Sequence, residues 1–81
     1  MISCGEYDYI EIVCLYRYPI KLFLVSGDEK EGTAFDTQRN ADREECIKIK
    51  SNNAECLIVL NDIARLEVLV ENPHFTEVSF R

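Results

Sequence analysis

No lysine or arginine stands before Arg17, and the chain holds one histidine, His74, and no Cys-x-x-Cys. No apolar run approaches the ~20 residues that cross a bilayer, so no membrane helix is expected. The start, "MISCGEYDYI", lacks a charged stretch followed by an apolar one, so no secretory signal is expected either. These absences point to a cytoplasmic protein whose thiols stay reduced. Gly-x-Ser-x-Gly, a phosphate-cradling glycine loop and His-Glu-x-x-His are all missing. With one histidine, in a loop after a proline, nothing places a base beside a nucleophile. The expectation is a binding protein, not an enzyme, with no cofactor and no metal.

What is present suits one small folded unit. The 81 residues are 47% hydrophobic and 30% charged, which is a globular composition. They allow one domain, residues 1–81, with a small core. Fifteen acids against nine bases give a net charge of −6. Such a surface repels nucleic acid and suits a basic partner. Neither nucleic acid nor membrane is therefore expected as a direct partner.

The four cysteines, Cys4, Cys14, Cys46 and Cys56, fall at spacings unlike a zinc ribbon or a thioredoxin motif. They read as small core hydrophobes. Metal ligation and disulfides are the weaker readings.

The segment "GEYDYIEIVCLY" predicts a helix over about 5–16, with Ile10, Val13 and Cys14 on one face. Asp8 and Glu11, three apart, lie together on the wheel. Pro19 requires the helix to end by Tyr18. Residues 20–80 then read as five or six antiparallel strands. Ile20, Leu22 and Leu24 alternate with Lys21, Phe23 and Val25. "SGDE" is a turn with Gly27 free to take positive φ. "KEGTAFDT" returns as a strand in which Gly32 is expected to mark a bulge or bend.

"ECIKIK" and "ECLIVL" flank Asn52 and Asn53, a hairpin that sets Ile49 opposite Cys56 and Ile47 opposite Ile58. That register puts Ile47, Ile49, Cys56, Ile58 and Leu60 on the inner face and Cys46 outside, so the two cysteines cannot bridge. "IARLEVLV" contributes Ile63, Leu66, Val68 and Val70, and "FTEVSF" closes with a short strand. The class is mainly β: a small barrel or sandwich behind one short N-terminal helix.

The opening "ISCGEYDYIEIVC" carries three acids, Glu6, Asp8 and Glu11, with no base to neutralise them. From the residues alone it is either an amphipathic helix with a wet face or an anionic surface for a basic groove. An RNA-binding module using Lys48, Lys50 and the strand aromatics is the alternative function.

The same segment resembles the opening of the Rho-binding antiterminator family, small bacterial inhibitors of transcription termination factor Rho. Ile2, Cys4, Glu6, Tyr7, Asp8, Ile10, Glu11 and Cys14 match. Gly27, Ala34, Asp36, Leu60, Asp62 and Ile63 follow in order. The resemblance implies an Sm-like small barrel, monomeric when free, that binds the N-terminal RNA-binding domain of Rho and obstructs its RNA site. Glu6, Asp8, Glu11 and Asp36 would be the partner-binding residues. Gly5 stands where the family commonly has an acid. "TQRNADREE" is more acidic than its counterpart, so Arg39 and Arg43 are not carried over.

Overall fold

A computed structural model describes residues 4–80; Ile2 and the Cys4 side chain lie outside the described residues. Helix α1 spans Cys4–Leu15 and is followed by strands β1 (Pro19–Leu24), β2 (Glu29–Arg39), β3 (Glu45–Ser51) and β4 (Ala54–Val59). A single 3-10 turn, Leu60–Asp62, leads to β5 (Ile63–Val68), and β6 (Glu77–Ser79) comes last. The expected helix is observed, and the five or six antiparallel strands expected are six.

Helix α1 buries the face its periodicity marks: Ile10 and Val13 completely, Cys14 nearly so. It ends where the chain before Pro19 must leave the α region. Arg17 takes φ 54°, its N–H reaches the Cys14 carbonyl at 3.3 Å, and the Tyr18 N–H reaches the Val13 carbonyl at 3.0 Å. This is a Schellman cap with arginine where glycine is usual. Pro19, on the first residue of β1, costs no ladder bond.

The strands form one sheet in the order β4-β3-β2-β1-β5-β6, every pairing antiparallel. The sheet is open: β4 and β6 do not pair with each other. Buried residues of β3 and β4 (Ile47, Ile58) and of β1 and β5 (Leu22, Leu66) nonetheless belong to one cluster with α1. The sheet therefore curls around a shared core. Each fully buried isoleucine or leucine there is worth about 1.5–3 kcal/mol relative to exposure.

Three local expectations need correction. Gly32 is not the bulge; it pairs regularly with Ile20, and the register shift falls between Ala34 and Asp36. Glycine is needed at 32 because a Cβ would stand 2.9 Å from the Lys50 carbonyl oxygen. The hairpin register is as expected, with φ 51° at Asn52 and 69° at Asn53, but the cysteines exchange environments. Cys46 is buried, its thiol 3.5 Å from the Glu44 carbonyl in the turn that folds over it, whereas Cys56 is exposed. Cys56 sits on an edge strand near the hairpin tip, where the inner face runs past the core. Val70 is also exposed, because β5 ends at Val68, whose N–H turns to the Thr76 carbonyl at 2.8 Å.

Candidate partner-binding groove

The sequence offers acids on α1 and one on β2; the fold brings them together. Helix α1 packs on β2, and Tyr7 Oη lies 3.4 Å from Thr37 Oγ1 across the seam. The bulge in β2 leaves Phe35 half-buried and Asp36 exposed. A groove results between the helix and the bulge. Its walls carry Asp8, Glu11 and Asp36 together with apolar Ile12, Leu15 and Phe35. Leu15 is 74% exposed, the most open of the large apolar side chains among the described residues. Glu6, two residues before Asp8, is turned to the opposite side of α1, half-buried and outside the groove. Three of the four expected partner-binding residues therefore converge, and the fourth, Glu6, does not join them.

Arg17 is a groove residue that the sequence did not single out, and Phe35 was read there only among the strand aromatics of the RNA-binding alternative. The Arg17 guanidinium lies 4.1 Å from the Phe35 ring centroid and donates to the Phe35 carbonyl, with the Cys14 carbonyl 3.4 Å away. It ties the helix end to the bulge. The available sequence signal was Arg17 itself, the first base after three acids, held next to the helix stop.

Cys14 forms part of the groove wall. Its thiol is pushed up to about 11 by burial first, then by the negative charge of Asp36 and, less, Glu11; Arg17 opposes. Desolvation disfavours the thiolate, and nearby carboxylates disfavour it further. The thiol is inert in this state, so the groove offers charge and shape rather than a nucleophile.

Four of the described bases meet acids away from the groove. Lys21 meets Glu29 at 3.0 Å, Arg39 meets Glu45 at 3.4 Å, Lys48 meets Glu55 at 3.9 Å, and Arg65 meets Glu67 at 3.2 Å. Phe23 carries Arg65 4.3 Å and Lys21 5.3 Å from its ring centroid. The two cations beside Phe23 are thus each also paired with a carboxylate, whereas a nucleic-acid backbone needs unneutralised positive charge. His74 stacks on Tyr16 at 4.8 Å on the exposed surface. Among the described residues no group of three or more His, Cys, Asp or Glu could hold a metal ion.

A family model described as "Modulator of Rho-dependent transcription termination (ROF)" matches residues 1–80. The chain belongs to the ROF family. A solved structure of YaeO bound to magnesium, from Vibrio cholerae O395, is 40% identical, covering 93% of this chain and 97% of that one with a TM-score of 0.89. The search of curated proteins gives no match. Membership makes this chain a modulator of Rho-dependent termination, and the likeness to YaeO extends over almost the whole fold.

Proposed function

We propose that this ROF-family protein inhibits Rho by seating a basic surface of Rho's N-terminal RNA-binding domain in the α1–β2 groove, which blocks RNA engagement. The observation that carries this reading is the convergence of Asp8, Glu11 and Asp36 around Ile12, Leu15 and Phe35. A surface built to hold phosphates presents lysine and arginine, and carboxylates on an apolar floor can take the phosphates' place. The apolar residues exclude water from the pairs and strengthen them. The protein works in the cytoplasm, by occupancy and without catalysis.

The test is pull-down and fluorescence titration with Rho, with and without competing RNA. Asp8→Lys and Glu11→Lys should each weaken binding at least about 30-fold, the scale of roughly 2 kcal/mol for a reversed interfacial charge. Both should also restore Rho-dependent termination in a transcription assay. Binding undiminished in both folded variants would remove the groove from the mechanism. A gel shift with single-stranded RNA at low salt separates the alternative, since this reading expects no shift.

A further inference from the structure

The two edges of the sheet are protected very differently. At one end β6 is three residues long, too short to template a partner. At the other end β4 is a full strand, and Ala54, Glu55, Cys56 and Leu57 are all exposed. Its sequence, AECLIV, holds no lysine and no proline, and its pairing with β3 runs from Cys46–Val59 to Ser51–Ala54 without a bulge. The single charge, Glu55, is held by Lys48 at 3.9 Å. Charge, proline, bulges and shortness are the devices that blunt natural edges, and β4 uses none of them effectively.

The hairpin fixes which backbone groups face outward. A two-residue turn with positive φ at both positions closes on a hydrogen-bonded pair, here Ser51–Ala54. Hydrogen-bonded and open pairs then alternate. Ala54, Cys56 and Ile58 bond to β3, while the N–H and C=O of Glu55, Leu57 and Val59 point away from it. No other strand pairs with β4 among the described residues.

We propose that β4 pairs antiparallel with β4 of a second copy of this chain, about a two-fold axis through Leu57. This register brings outward groups only against outward groups. The two Leu57 residues exchange both bonds, and each Val59 N–H donates to the Glu55 carbonyl of the other copy. It also packs leucine on leucine and sets each Glu55 beside a valine. No like charges meet, despite a chain charge of −6, and both Glu55–Lys48 pairs survive. Pairing β4 with β6 of another copy would be head-to-tail and uses a strand of three residues; the two-fold arrangement closes on itself. β4 lies two strands from β2, so the pairing is independent of the groove reading. The free chain is then monomeric when dilute and dimeric when concentrated.

Sedimentation equilibrium tests this from about 10 μM to about 1 mM, because the dimer follows mass action. The expected result is an apparent mass that rises toward about twice the monomer's, as a closed two-fold pair requires. Leu57→Lys and Leu57→Glu should each stay monomeric, with unchanged circular dichroism. Mixed one to one they should recover the heavier species, since opposite charges then meet across the axis. Ser79→Lys, on the other edge, should associate like the parent. In the unmodified protein, hydrogen exchange at the Leu57 and Val59 amides should slow as concentration rises. A mass that stays at the monomer value, failure of the mixture to associate, or exchange independent of concentration would each overturn the proposal.

Discussion

Cys14 shows how one buried atom reports the charge around it. Unfolded, its thiol releases a proton near 9.0; folded, near 11, chiefly because it is buried and then because Asp36 and Glu11 stand close. Between those values unfolding releases a proton, so stability falls as pH rises through the window. The gap is worth about 2–3 kcal/mol at 1.36 kcal/mol per unit. Urea unfolding at pH 8, 9.5 and 11 should show that loss. Cys14→Ala, though less stable at pH 8, should lose less over the same range by about that amount. A parallel loss in both proteins would mean the thiol does not titrate in the window. Below pH 9 the residue contributes packing alone.

At the scale of elements, the joint between α1 and β2 depends on Arg17. A non-glycine residue at φ 54° costs about 1 kcal/mol, and the guanidinium's bond to the Phe35 carbonyl and its stacking on that ring offset it. Arg17→Gly removes both the strain and the contacts, so its stability should lie within about 1 kcal/mol of the parent. Arg17→Ala keeps the strain and loses the contacts, and should cost about 1–2 kcal/mol. Urea denaturation of the three proteins gives the ordering; glycine less stable than alanine would contradict it.

The same joint marks where the sequence stops being legible. The buried face of α1 is readable because Ile10, Val13 and Cys14 repeat at helical spacing. The β3–β4 register is readable because two asparagines occupy the turn. The bulge at Phe35 has no residue signal, since bulges need neither glycine nor proline. The burial of Cys46 and exposure of Cys56 depend on β4 being the edge, which is a property of strand order. In the groove, Asp8, Glu11 and Asp36 were each visible, but their convergence required α1 to lie on β2. Arg17, and the role of Phe35 in the groove, became visible only as a contact.

For the molecule as a whole, a net charge of −6 and an open apolar rim act on binding in separable ways. Long-range attraction to a basic partner is screened by salt, whereas apolar burial is nearly indifferent to it. Affinity for Rho should fall at least about fivefold between roughly 50 and 200 mM salt. Asp8→Asn and Glu11→Gln should lower affinity and flatten that dependence, because fewer charges remain to be screened. Leu15, 74% exposed on the groove wall, would be covered by a partner docked there. Leu15→Ala should weaken binding about tenfold at every salt concentration, which is the roughly 1–2 kcal/mol of lost apolar burial, and leave the slope intact. Titrations of the three variants against Rho at four salt concentrations distinguish the contributions. If Leu15→Ala changes the slope, or the two neutralised acids leave it unchanged, charge and apolar contact are not divided across the groove as its walls suggest.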